Sequence, residues 1–382
     1  MEQVYIVDAV RTPMGRFKGG LSSFNSVDLG AQMLNALAQR NDLDTATVDD
    51  VIFGCINQIG AQSANLARNS LLAAGWPDTV PGVTIDRQCG SSQQALHFAA
   101  QGIQAGAYDI AVAGGVEVMS LVPLNSGFEF GPKMGVGHPF EAEGWVARYG
   151  SDKVHQFASG ERIADKWNIE REEMERLALA SHQRADRAWN EGRFDSQVIR
   201  VNDLERDETI RATTSMEKMA QLQPISEGGR ITAGTASQLA DAASGVLLAS
   251  ESALKANGWV PMARVHTMAV VGSDPWLMLT GPIPATAKVL DRAKLTLDDM
   301  DLIEINEAFA SVVLAWQRET GADLEKTNVN GGAMALGHAL GATGTRIAAT
   351  LVHELRRQSA RYGLMTICEG GGLANATILE AL

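Results

Sequence analysis

Val83-Thr84-Ile85-Asp86-Arg87-Gln88-Cys89-Gly90-Ser91-Ser92-Gln93-Gln94-Ala95-Leu96 is the stretch on which the reading of this chain turns. Apolar β-formers lead up to Ile85, small residues turn a corner at Cys89, and residues 93–100 have helical spacing. A cysteine at such a corner faces the free N–H groups of the first helical turn. The positive end of the helix dipole there favours thiolate over thiol. Gly90, Ser91 and Ser92 leave the sulfur open to another molecule. The alternative is a structural cysteine, since free cysteines are mostly buried and inert.

Outward from that corner, strands are expected at residues 4–9, 51–55, 83–85 and 110–113, with helices at 28–40 and 64–75 between them. A βαβαβαβ order predicts a sheet with helices on both faces. This part ends at Gly114-Gly115-Val116-Glu117. From about Leu121 the texture changes. Gly, Pro, Met and Phe crowd residues 123–139, and charged helices such as 171–192 follow. That stretch reads as an inserted cap, ending near Ile231-Thr232-Ala233-Gly234-Thr235-Ala236-Ser237, after which residues 245–250 return to strand texture.

The C-terminal part echoes the first. Residues 263–271 open it as a strand. Residues 47–58 recur in pattern at 297–307, residues 84–95 at 328–344, and residues 110–115 at 364–371. Two copies of one βα unit predict a duplicated fold whose equivalent corners meet near a pseudo-dyad. The division expected is an N-terminal half of residues 1–120 plus 239–261, a cap of 121–238, and a C-terminal half of 262–382. Cys89, Asn306, His338 and Cys368 all fall on strand-end loops, where open α/β sheets bind their ligands.

A chain of 382 residues exceeds what one hydrophobic core usually serves, so two or three domains are expected. The net charge of −13 argues against general nucleic-acid binding, and a polyanionic ligand has to be held by a local site. Three cysteines, Cys55, Cys89 and Cys368, make no disulfide framework and point to a reducing compartment. The first residues run straight into a strand, with no targeting peptide expected, and no apolar run has the length of a membrane span. The ending Glu380-Ala381-Leu382 is not a peroxisomal address. A cytoplasmic protein is the expectation.

Three motifs carry chemistry. In Asn306-Glu307-Ala308-Phe309-Ala310, an Asn just past a strand can orient a water or an oxyanion, or cap a helix. In residues 330–344, glycines surround His338, which leaves its imidazole open to approach. The loop lacks the Gly-Lys-Ser/Thr ending of a phosphate-binding P-loop. In Cys368-Glu369-Gly370-Gly371-Gly372, a second strand-end cysteine precedes backbone N–H groups free to serve a developing oxyanion. A redox pair of Cys89 and Cys368 is the competing reading, and it leaves the histidine and asparagine without a role.

In order and spacing, Asp86-Arg87-Gln88-Cys89-Gly90-Ser91, Asn306-Glu307-Ala308-Phe309, Gly337-His338 and Cys368-Glu369-Gly370 resemble the motifs of the thiolases. The resemblance covers nearly the whole chain. It is to the degradative 3-ketoacyl-CoA branch, with residues 177–194 and 301–316 most similar to thiolases of bacterial fatty-acid or steroid side-chain breakdown. It implies an α/β fold of duplicated βα units in a layered αβαβα core with an inserted cap. It implies Cys89 as acyl-carrying nucleophile, His338 as its activator, and Cys368 as acid and then base. Two oxyanion sites follow, one from His338 and a water on Asn306, the other from the N–H groups of Cys89 and Gly370.

Coenzyme A would be a substrate held on the cap, with Arg211 against the nucleotide, Ser237 against the pantetheine and His155 as a further contact. Lys133 and Lys218 are phosphate candidates on charge alone. No tightly bound cofactor is implied. The resemblance also implies a homodimer or homotetramer, and a β-oxidation multienzyme partner.

The chain departs from the family in two places. Ala339 stands where a proline usually follows the histidine, which frees the loop backbone. Residues 232–242 lack the usual Asn and Gly, which bears on the CoA contacts there. The bulky loop 274–281 is expected either to line an acyl pocket or to form a core or dimer patch. The alternative functions are a biosynthetic acetoacetyl-CoA thiolase, a decarboxylating ketoacyl synthase, and a catalytically silent acyl-CoA or lipid-binding relative.

Overall fold

In the computed structural model, which describes residues 2–150 and 155–382, ten strands form one mixed sheet among the described residues. They are β1 (Tyr5–Arg11), β2 (Gly15–Arg16), β3 (Asp50–Gly54), β4 (Gly82–Ile85), β5 (Ile110–Val118), β6 (Ala240–Ala249), β7 (Ala263–Gly272), β8 (Leu302–Ile305), β9 (Tyr362–Glu369) and β10 (Leu373–Ala381). The order is β4-β3-β5-β6-β1-β7-β10-β9-β8, with β2 on β6.

The duplication read from the sequence is visible in the pairing. In β3-β5-β6-β1 the first contact is parallel and the next two antiparallel. The series β8-β9-β10-β7 repeats that pattern. The two runs meet where β1 touches β7, at Tyr5 with Arg264 and Ile6 with Ala263. Strand β4 has only a reduced counterpart, a single parallel bridge between Ile303 and Thr327. The reason is local. Asn328 Oδ1 accepts from the Ile305 N–H at 2.9 Å and its Nδ2 donates to the Ile305 carbonyl at 2.9 Å. One side chain thus takes the ladder positions a second strand would have filled. The expected strand-corner-helix echo over 328–344 keeps its corner and helix and loses its strand.

Helices Ser91–Gln104 and Thr343–Gln358 are buried over most of their length and pack against each other and the sheet, forming the central helical layer. Their contact is close because Gly344 has no side chain: a Cβ there would overlap the backbone nitrogen of Gln93. The main apolar core draws on both halves, with Val4, Ile6 and Leu96 beside Ile347, Met365 and Leu379. Each such side chain contributes roughly 1.5–3 kcal/mol by leaving water.

No named strand falls between β5 and β6 among the described residues; that stretch is helical and irregular. Its Ile163, Met174 and Ala178 pack on Phe309, Val312 and Ala315, so it rests on the C-terminal half. No described helix is long and apolar enough to cross a membrane.

Candidate active site

The corner at Cys89 is built by short-range hydrogen bonds. Asp86 Oδ1 accepts the Gln88 N–H at 2.6 Å, and Gln88 itself lies in the left-handed region at φ 47°. Ser91 Oγ accepts the Arg87 N–H at 2.9 Å and donates to the Gln88 carbonyl at 2.6 Å. Gly90 is required here, because a Cβ would run into the carboxyl of Glu369. Helix Ser91–Gln104 starts two residues earlier than its spacing suggested, so Cys89 sits directly before the cap residue Gly90.

Cys89 is 9% exposed, and that remnant opens into a cavity. The backbone N–H groups of Gly370 and of Cys89 itself point at its sulfur. The thiolate expected from the helix dipole is not the resting form. Burial, with Glu369 adding to it, pushes the thiol up to about 12. A half-charge at a helix end does not offset the loss of water around a buried anion.

His338 is 4% exposed and opens into the same cavity. Its Nδ1 lies 2.6 Å from Thr343 Oγ1, whose hydroxyl donates to the Ala339 carbonyl at 2.9 Å. With the only hydroxyl proton committed, Nδ1–H is the donor and Nε2 keeps its lone pair, a tautomer assigned from this network. Burial lowers the imidazole to about 3, so it rests neutral and ready to accept a proton. Asn306 Nδ2 approaches Nε2 at 3.4 Å, and its Oδ1 is buried without a partner. Asn306 is not a helix cap; Phe309 takes that position for helix Ala310–Thr320.

Cys368 is fully buried beside Cys89, in an apolar cluster with Met278, Phe309 and Met334. Burial first, then Cys89 and Glu369, push its thiol well up. Gly370 follows β9 and lies on the cavity wall.

The cavity holds about 890 Å³ and runs from Cys89, His338 and Gly370 past Met119, Phe128, Met278, Leu279 and Phe309 to Arg211 and Ser237. Arg211 and Ser237 therefore line the same cavity as the cysteine. His155 does not; it caps helix Gln156–Lys166, accepting from the Phe157 N–H at 3.3 Å. Lys133 and Lys218 also lie off the wall. Lys133 sits over the Phe130 ring, and Lys218 donates to the Thr213 carbonyl. From the loop 274–281, Met278 and Leu279 reach the cavity, while Trp276 packs under Arg162.

Two buried carboxylates that motif reading left without a role frame the histidine loop. Glu117 accepts the N–H groups of Ile56 (3.0 Å), Asn57 (3.2 Å) and Gly341 (3.1 Å) and the Gln62 amide (2.9 Å). Glu307 accepts Ser181 Oγ (2.7 Å), Asn328 Nδ2 (2.9 Å) and the Met334 N–H (3.1 Å). The available signal was an acid at the end of each apolar strand, a position that needs partners.

Family models for the thiolase N-terminal domain and the thiolase C-terminal domain match residues 4–252 and 259–381. A steroid 3-ketoacyl-CoA thiolase of Mycobacterium tuberculosis is 52% identical over 387 residues, covering 100% of this chain and 95% of that protein. A 3-ketoacyl-CoA thiolase of Pseudoalteromonas translucida is 42% identical, covering 100% and 99%. Human mitochondrial 3-ketoacyl-CoA thiolase superposes with a TM-score of 0.89 at 38% identity, covering 100% of this chain and 99% of that one. Sequence and fold agree, and the chain belongs to the thiolase family.

Proposed function

We propose that this enzyme cleaves 3-ketoacyl-CoA thioesters with coenzyme A, giving acetyl-CoA and an acyl-CoA two carbons shorter, through an acyl group carried on Cys89. The observation that carries this reading is the convergence of the Cys89 sulfur, two backbone N–H groups and the Nε2 lone pair of His338 on one cavity. Because both groups rest neutral, the proton passes from Cys89 to Nε2 as the sulfur attacks the 3-keto carbon. The C2–C3 bond breaks, and the electron pair leaves as the enolate of acetyl-CoA. Protonated Nε2–H and a water on Asn306 stabilise that oxyanion, and Cys368 supplies the proton to C2. Cys368 then takes the thiol proton of an incoming CoA, whose sulfur attacks the Cys89 thioester. The tetrahedral oxyanion faces the N–H groups of Cys89 and Gly370. Removing one such donor typically costs ~100- to 1,000-fold in rate. Collapse returns the proton from His338 to Cys89.

CoA lies toward Arg211 and Ser237, on the cap formed by residues 121–238. The acyl group lies toward Met119, Phe128, Met278 and Leu279, a wall that suits a bulky apolar group of the kind named for the mycobacterial relative. The reading includes a cytoplasmic homo-oligomer, for which edge strand β4, with Val83 exposed on it, offers unpaired backbone. The test is CoA-dependent cleavage of 3-ketoacyl-CoAs of increasing size, beside Cys89→Ala. Cleavage extending to long or ring-bearing acyl groups and falling to background in the variant supports the proposal. Activity on acetoacetyl-CoA alone indicates the biosynthetic alternative, and binding without turnover indicates a silent relative.

A further inference from the structure

His338 sits in a loop with two weaknesses. Gly337 precedes it and Gly341 follows three residues on, and Ala339 lacks the restriction a proline would impose. Thr343 bonds the ring, and Glu117 and Glu307 hold the backbone at Gly341 and Met334; from the cap, one further side chain reaches the loop. Gln238 Nε2 donates to the carbonyls of Met334 at 2.8 Å and Ala335 at 3.3 Å. These belong to the four-residue helix Ala333–Leu336, whose last carbonyls have no partner within the helix. The same amide donates to the Thr209 carbonyl at 2.8 Å. The Gln238 backbone carbonyl accepts the N–H of His338 itself at 2.8 Å. On the cavity side, Gln238 Oε1 accepts from Arg211 Nη2 at 3.4 Å.

Gln238 falls within residues 232–242, the segment that lacks the family's usual Asn and Gly. The two hydrogens of this amide are shared among the three carbonyls, of Thr209 on the cap side and of Met334 and Ala335 before the histidine. The histidine loop thus lacks a proline at 339, and a glutamine amide ties it to the cap.

We propose that Gln238 is the positioning residue for His338, holding the histidine loop to the cap segment that carries Arg211. This rests on the reading of His338 as the base for Cys89. The Gln238 side chain holds the backbone before Gly337, its main-chain carbonyl accepts the His338 N–H, and the His338 ring is left free. Its loss is felt as a misplaced Nε2 rather than a missing group. Misplacing a reacting group by up to about an ångström costs on the order of 10- to 100-fold.

The test compares Gln238→Ala, Gln238→Glu, His338→Ala and the double variant Gln238→Ala with Ala339→Pro. Gln238→Glu removes both amide hydrogens and sets a carboxylate against carbonyl oxygens, so it disrupts the grip without shortening the side chain. The expected result is a 10- to 100-fold lower kcat in both Gln238 variants. KM for the acyl-CoA stays within about twofold and the melting temperature within a few degrees. Proline at 339 in the double variant recovers most of the kcat, because the ring restores by covalent restriction what the amide supplied by hydrogen bonds. Ala339 already has φ −73° and its N–H finds no acceptor among the described residues, so the ring fits the existing backbone. An unchanged kcat in the Gln238 variants while His338→Ala is inactive would overturn the proposal and leave the role of His338 standing. A rise in KM alone would overturn it too, making Gln238 a binding residue. Full activity in His338→Ala would remove both readings. A kcat loss that Ala339→Pro fails to recover at unchanged melting temperature would also count against it.

Discussion

At the scale of single residues, the proposed chemistry turns on two groups that burial holds neutral. The thiol of Cys89 is pushed up to about 12 and the imidazole of His338 is lowered to about 3. Below its pKa the thiolate fraction of an acid grows about tenfold per pH unit, and the thiolate is the form that alkylates. In the substrate-free enzyme, iodoacetamide should therefore modify Cys89 about ten times faster with each unit from pH 7 to pH 10, followed by mass spectrometry of its peptide. A rate that levels off near pH 7 would mean a preformed thiolate–imidazolium pair. The corner, the cysteine and the histidine were all legible as motifs. The charge state was not, because it depends first on burial and then on Glu369, which the fold brings against Gly90 from a strand some 280 positions away. Local pattern reports the helix dipole and is silent on desolvation.

At the scale of elements, the site depends on loops held from outside by buried acids. Glu117, at the end of β5, accepts from residues of the β3 loop and from Gly341 beyond the histidine. Burial raises its pKa, and the N–H groups of Ile56, Asn57 and Gly341 oppose that rise. Glu117→Gln keeps the shape but turns an amide NH2 toward groups that are themselves donors. Leaving such buried donors unpaired costs about 1–3 kcal/mol. Urea unfolding should show that loss, and kcat should fall with it, since Gly341 lies three residues from His338. Unchanged stability would mean that these N–H groups find other acceptors, and that the carboxylate is not what holds the loop.

Element boundaries were legible to within a few residues where apolar periodicity was strong, as for helix Arg171–Asn190. Strand β10 was not. Its run Leu-Ala-Asn-Ala-Thr has low β-propensity, and it is placed by tertiary context: Gly371 and Gly372, at φ 82° and 80°, fold it back on β9, and β7 pairs along its other edge. Asn328 opened the expected echo as a strand, and nothing in the local pattern showed that its side chain would take the strand's place.

At the scale of the whole molecule, the question is whether two duplicated halves behave as one body. Their sheets touch at only two residue pairs, which by itself would permit independent unfolding. The central helices decide otherwise. Leu96 and Ile347, one from each half, share a single core. Buried polar bonds cross the same boundary: Gln93 Nε2 donates to Thr377 Oγ1 at 2.8 Å, and His97 Nε2 lies 2.7 Å from that oxygen. His97 is lowered to about 3 by burial and then by Arg87, so it rests neutral and its Nε2–H has to find an acceptor inside the protein. Thr377→Val keeps the volume and removes that acceptor, leaving His97 Nε2–H unpaired and Gln93 Nε2 with only its 3.4 Å bond to the Met365 carbonyl, at a cost of about 1–3 kcal/mol for the unpaired donor. Differential scanning calorimetry should show one transition in the parent enzyme, and one transition at lower temperature in the variant. If the halves were separable bodies, the variant would instead split the trace into two transitions, because loosening the joint would leave each half to melt at its own temperature. A single shifted peak identifies the helical layer, rather than the narrow β1–β7 contact, as what makes the duplicated fold one cooperative unit.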